Sequence, residues 1–342
     1  MKVWRDVDQG LHDPGSGSPE RPDRLDACLT ALLSSGVEVL LQDAFPADRA
    51  LVDLVHERSN IDALEEFCHA GGGLIAGDTF ANQSTFDVAL RAAGACVDAA
   101  REALSSGDAA LSLVRPPGHH ATRDEAMGFC FINNVAVATK AVQAAGATRV
   151  CIIDFDVHHG NGSQDIFWQD PDVCYLSLHQ WPWYPWISGA LEEIGAGEAE
   201  GTNVNIPLPA MTGDVGHLSA IEGVVVPVVR QFEPDMIMVS AGFDAHVDDP
   251  LSMQEVTTGG FGAIARSLTR LAAEVCGGRA LWVLEGGYNL VSLGASVAEV
   301  AGALAGSPTP ADPPPLSHGS GFRMPALDKV IAFHGRRWNL DL

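Results

Sequence analysis

The sequence predicts an α/β protein with a mostly parallel central sheet covered by helices on both faces. Short runs rich in Val, Ile and Leu recur along the chain, stretches with helical spacing separate them, and each run ends in polar or glycine-rich residues. Continuous apolar runs of this length suit strands buried on both faces, and strand alternating with helix suits a parallel sheet.

Taken in order, the runs are ALSLVRPPG (110–118), RVCIIDF (149–155), VCYLSLH (173–179), MIMVSAGF (236–243) and ALWVLEGGY (280–288). Between the last two, Ile264, Leu268, Leu271 and Val275 are spaced to share one helix face. The run ends are Gly118-His119-His120, Asp154 to Gly162, Ser177 and His179, Gly242 to Asp249, and Gly286-Gly287-Tyr288. Ligands of open α/β sheets bind outside the carboxyl ends of the strands, so the chemistry is expected at these residues. There is no internal repeat. SPTPADPPPLS (307–317) reads as an extended connector to a last short helix near ALDKVIAF. Residues 1–306 are therefore expected to form one domain, with 307–342 as connector and C-terminal helix packed on it.

At 342 residues, 46% hydrophobic and 19% charged, the chain can bury a large core. No segment approaches the roughly 18 apolar residues of a membrane span, and MKVWRDVDQGLHDPG lacks the features of a secretory signal. A cytoplasmic location without disulfides is expected. The seven cysteines form no C-x-x-C pair, which argues against a thiolate zinc site. With 20 Lys and Arg against 44 Asp and Glu, the net charge of −24 opposes binding to nucleic acid or a membrane surface and favours cationic ligands. Much of that acidity also serves solubility.

The stretch DFDVHHGNG (154–162) concentrates metal-ligating groups. If the strand continues through it, Asp154, Asp156 and His158 point to one side. Two carboxylates and an imidazole on a buried strand carry a large desolvation cost without a cation. With Asp244 from another run, Asp156 and His158 make three protein ligands and leave positions open, as in a catalytic zinc site. The same donors suit iron, cobalt or manganese. Either His119 or His120 could take a proton near neutral pH, with Asp154 holding one imidazole and Asn161 orienting the other. A phenol at Tyr288 could donate to a developing oxyanion.

RPPGHH, GFCFINN (128–134), DFDVHHGNG, SLH, SAGFDAHVDDP and LEGGY occur in this order, and SPERPDR (18–24) and DTFANQSTF (78–86) accompany them. Over about residues 12 to 300 the chain resembles the zinc-dependent histone deacetylase and acetylpolyamine amidohydrolase superfamily, in particular its class II and bacterial members. The resemblance implies a single-domain arginase–deacetylase fold, with residues 1–306 as the catalytic domain. Zinc would be held by Asp156, His158 and Asp244, with His120 as general base and then acid, His119 beside it as an electrostatic partner held by Asp154, and Tyr288 polarising the acyl carbonyl. Phe129 and Tyr184 would line a narrow channel, with Gly128 preceding its inner loop and Asp78 at the rim. Asp154, Asp156, Ser177 and main-chain oxygens near His158 and Leu178 resemble the family's structural potassium site. Arg24 matches an arginine near the cavity through which acetate leaves.

The implied reaction is hydrolysis of an acetylated amine to free amine and acetate, in a bacterial enzyme acting on acetyl-lysine or a small acetylated amine, with acetylpolyamines or other small amides as alternative substrates. Some positions depart from the pattern. Ser18 stands where histidine is frequent, YPWISG (184–189) replaces a glycine-rich turn, and WPWYPW (181–186) puts three tryptophans near the entrance. Leu251 occupies a place where polyamine-selective relatives can carry a glutamate. A dinuclear manganese ureohydrolase would need carboxylates near Gly160 and His246, and a non-catalytic acyl-amine binder would lack some of these groups, so both rank lower. The sequence leaves homo-oligomerisation open.

Overall fold

The computed structural model describes residues 1–307 and 324–340, so the expected proline-rich connector lies outside the described residues from Pro308 onward. The strands are β1 (Lys2–Arg5), β2 (Leu40–Asp43), β3 (Gly73–Ala76), β4 (Thr79–Ala81), β5 (Ala110–Leu113), β6 (Val150–Asp154), β7 (Val173–Gln180), β8 (Asn203–Leu208), β9 (Met236–Ala241) and β10 (Ala280–Leu284). Eight of them form one sheet in the order β2-β1-β5-β10-β9-β6-β7-β8, every neighbouring pair parallel. The remaining two, β3 and β4, form a small antiparallel hairpin.

Alternation along the strands divides the core between the two faces. On β6, Cys151 and Ile153 join a cluster with the helices Asp23–Ser34, Thr258–Cys276 and Leu290–Leu304. Val150 and Ile152 face the opposite cluster, built on Thr85–Ser106 and Asn134–Ala144. A single sheet with apolar side chains on both faces needs both layers to remove them from water, the dominant favourable contribution to folding. The C-terminal helix Pro325–His334 adds Leu327, Val330 and Ile331 to the first cluster, and His334 Nε2 lies 3.2 Å from the Asn205 carbonyl of β8.

All five expected strands are present; four are shorter than their apolar runs, and β7 extends one residue beyond its run, to Gln180. Three sheet strands escape the reading: β1 and β2 have only four residues each, and β8 interrupts its apolar residues with two asparagines. No helix among the described residues is long and apolar enough to cross a membrane. The seven cysteines are buried and unpaired.

Candidate active site

The carboxyl ends of β5, β6, β9 and β10 converge beneath a cavity of about 590 Å³ whose lining includes His120, Phe129, His158, Tyr184, Leu251 and Tyr288. One expectation about its floor needs correction. β6 ends at Asp154, so Asp156 and His158 lie in the loop beyond it. Strand alternation therefore does not bring them together. The loop turns instead on its own side chains: Asp154 Oδ1 accepts from the Asp156 amide at 3.1 Å, and Asp156 Oδ1 accepts from the His158 amide at 2.9 Å.

Asp156, His158 and Asp244 nevertheless meet. Their ligand atoms all lie within 4.8 Å of one another, the one such group found among the described residues. His158 Nδ1 is 3.0 Å from Asp244 Oδ2 and 3.2 Å from Asp156 Oδ1. Asp156 Oδ2 accepts from the Gly286 amide at 2.8 Å and Asp244 Oδ1 from the Val157 amide at 3.0 Å. Gly242 is required here, because a Cβ on it would stand 2.0 Å from Asp156 Oδ2. All three residues are buried. Burial and the neighbouring Asp156 charge push the Asp244 carboxyl up to about 7. Burial opposes a charge on His158, but Asp244 and Asp156 outweigh it and raise the imidazole to about 10. The pocket floor therefore favours positive charge.

The tandem histidines differ through their partners. His119 Nδ1 lies 3.1 Å from Asp154 Oδ2, and the Asp156 and Asp154 charges overcome burial to raise it to about 10. His120 Nδ1 lies 2.8 Å from Asn161 Oδ1, a neutral partner, and burial with the charges on His119 and His158 holds it well below its ordinary value. Gly128, at φ +55°, permits the close approach of the next loop, since a Cβ there would lie 2.4 Å from the His120 ring. Phe129 and Tyr184 flank the cavity, their rings 5.8 Å from Tyr288 and 5.1 Å from His120 respectively. Asp78, in the turn of the β3–β4 hairpin, and Leu251 border the mouth.

Ser177 stands opposite Asp154 in the β6–β7 register, and its hydroxyl lies 2.9 Å from His179 Nδ1; Leu178 is buried beside it. Arg24 is fully buried, donating from Nε to the Gly287 carbonyl at 2.7 Å, with its guanidinium 4.9 Å from the Tyr288 ring. His246 does not join the group that could hold a metal ion; its Nε2 lies 3.1 Å from Thr258 Oγ1.

The histone deacetylase domain model matches residues 18–304. The chain belongs to the histone deacetylase family. Histone deacetylase 10, chloroplastic, of Oryza sativa subsp. japonica is 43% identical over 342 aligned residues, covering 92% of this chain and 77% of that one. The histone deacetylase-like amidohydrolase of Pseudomonas aeruginosa is 38% identical over 277 residues, covering 80% of this chain and 72% of its own. The crystal structure of the HDA15 HD domain superposes with a TM-score of 0.89 at 35% identity, over 99% of this chain and 95% of that one. The protein is thus a histone deacetylase-family hydrolase on the arginase–deacetylase fold.

Several residues of this deacetylase-family site escape the sequence reading. Glu285, inside the LEGGY motif, accepts from the amides of Gly118 and His119 at 2.7 and 3.2 Å. Arg115 makes a two-pronged pair with Glu20, both contacts 2.7 Å, behind the mouth of the site. A charged residue within an apolar run was the available signal for both.

Proposed function

We propose that this site hydrolyses the amide of an acetylated amine, using one zinc ion held by Asp156, His158 and Asp244. The observation that carries the reading is that this donor set lies beside two adjacent imidazoles, one held by a carboxylate and one by a neutral amide, with His120 and His158 facing one cavity. The donors fit a divalent cation. Two buried carboxylates share one imidazole nitrogen, and the gap above Asp156 is kept by a glycine whose Cβ would fill it. Zinc held there supplies Lewis acidity to an acyl carbonyl and makes water nucleophilic at neutral pH.

The chain's own residues supply the remaining steps. His120, neutral at pH 7, accepts the proton of the attacking water and returns it to the leaving amine. His119, positively charged and fixed by Asp154, stabilises negative charge as it develops. Asn161 sets the orientation of His120. Burial raises the Tyr288 phenol well above its usual range, so it remains protonated and donates to the oxyanion. Phe129 and Tyr184 enclose the uncharged stem of the substrate. A potassium ion beside Asp154, Asp156, Ser177 and main-chain oxygens near His158 and Leu178 completes the reading as a structural element.

The substrate is acetyl-lysine or a small acetylated amine, because Leu251 and the indoles at the mouth offer apolar contact. An acetylpolyamine is the second reading, favoured by Asp78 at the mouth and the net charge of −24. The test is kcat/KM for an acetyl-lysine peptide, acetylputrescine and acetylspermidine on zinc-loaded protein, with Tyr288→Phe alongside. Turnover of Tyr288→Phe is expected to fall by about 10²-fold or more with metal content unchanged. Near-normal turnover in that variant would overturn the mechanism, and a large advantage for the polyamines would reverse the order of substrates.

A further inference from the structure

Asp249 begins the segment that carries the wall residue Leu251, does not itself line the cavity, and reaches the backbone of Tyr288. The residue is only 7% exposed, and three backbone amides use its carboxylate. Oδ2 accepts from Tyr288 N at 2.7 Å and from Asn289 N at 3.2 Å, while Oδ1 accepts from Leu251 N at 3.0 Å. The carbonyl of Leu251 in turn accepts from Trp183 Nε1 at 3.1 Å. One carboxylate thus joins the Gly-Gly-Tyr loop to the wall segment 249–251, and the wall segment to the tryptophan cluster.

The opposite side of the same loop is held separately. Gly286 N donates to the candidate metal ligand Asp156 at 2.8 Å, and Gly287 O accepts from Arg24 Nε at 2.7 Å. These bonds fix the two residues before the tyrosine. Gly287 has φ +116°, a conformation in which the chain turns sharply, so they do not by themselves fix the backbone beyond it. The next two backbone amides, those of Tyr288 and Asn289, point at Asp249. A charge-assisted hydrogen bond from a buried backbone amide to a carboxylate is stronger than a neutral one, and here it acts on the backbone of the residue whose phenol must reach the acyl oxygen.

Resting on the catalytic reading above, we infer that Asp249 is a positioning residue: it sets the Tyr288 phenol by clamping its backbone and ties that placement to the substrate wall through Leu251. It touches no reacting atom, so its effect on turnover passes through Tyr288. Replacement by asparagine keeps the volume but leaves one oxygen to accept, turning a donating amide group toward amides that also donate. The phenol then loses its fixed placement, and a displacement of about 1 Å costs on the order of 10²-fold in rate.

The experiment is a double-mutant cycle on full-length, zinc-loaded protein with an acetyl-lysine peptide, comparing Asp249→Asn, Tyr288→Phe and the pair, with Asp249→Ala as a second variant. Asp249→Asn is expected to lower kcat between about 10- and about 100-fold with KM and zinc content close to those of the parent, and Asp249→Ala to lower it further. In the Tyr288→Phe background the same change should cost less than about 3-fold, because the group it positions is gone. Equal losses in both backgrounds, a loss confined to KM, a loss of zinc or of the fold, or no loss at all would each overturn the assignment. If Tyr288→Phe itself turns over normally, the catalytic reading falls and this inference with it. A large Tyr288→Phe defect beside an unaffected Asp249→Asn removes the positioning role alone.

Discussion

At the floor of the cavity, Asp154, Asp156 and Asp244 are buried and each accepts hydrogen bonds from backbone amides or imidazoles, whereas at the rim Trp186 and Ile187 are 63% and 72% exposed. The floor is held by charge. Each acidic group has a partner that restricts its position, because an unpaired buried charge is costly. The rim is held by shape. Trp183 and Trp186 pack with ring centroids 5.7 Å apart, and Trp186 sits at φ +69°, in the left-handed region where glycine is preferred. The chain accepts backbone strain there to present an indole to the entrance, so the two zones respond to different perturbations. Charge changes should damage the floor, and shape changes should redirect the rim.

The largest effect is expected from Asp244→Ala. Leaving Asp156 and His158 without their third partner should release the metal and lower turnover by about 10³-fold or more, because both the Lewis acid and the activated water go with it. Zinc per chain, measured on purified variant and parent, checks this; unchanged metal content would show that the floor does not depend on Asp244.

A smaller effect should appear in the walls between floor and rim. His56 accepts the Asn133 amide at 2.9 Å, behind the loop bearing Phe129, and His179 Nε2 lies 2.9 Å from the Gly189 carbonyl at the end of the aromatic segment. Burial depresses both imidazoles to about 4. The unfolded chain takes up these protons first as the pH falls, at about 6.5. Stability from these two groups is therefore complete above pH 6.5 and is lost as the pH falls towards 4, with a slope of up to about 1.4 kcal/mol per pH unit for each. Thermal melting across that range should show the decline, and His56→Gln should flatten it; a slope identical in the variant would remove His56 as its source.

The smallest effect is expected at the rim itself. Trp186→Gly relieves the left-handed backbone and should stabilise the fold by about 1 kcal/mol, while shifting KM among the three substrates more than kcat. A fall in kcat equal to that of the floor variants would erase the distinction between the two zones.

Particular residues show how far the sequence could be read. Asp156, His158, Asp244, His119, His120 and Tyr288 stand out because polar groups of these types at the ends of apolar runs have few structural reasons to be there. The parallel sheet follows from the same runs, since continuous burial and alternation with helices are properties of short stretches of chain. The residue types Asp154 and Asn161 suggest the hydrogen bonds that distinguish His119 from His120. They do not suggest the contrary basicity of the two rings, which depends on the charges surrounding each.

Local pattern and residue chemistry were enough to specify the set of donors and the succession of buried strands along the chain. Only packing could decide that Asp156 and His158 leave the strand before they meet Asp244, that Gly242 makes room for them, that short β1 and β2 complete the sheet, and that Asp249 bridges the wall and Tyr288. These depend on contacts between segments far apart in the chain, such as the 130 residues between Asp156 and Gly286, and on a burial that only the packed molecule creates.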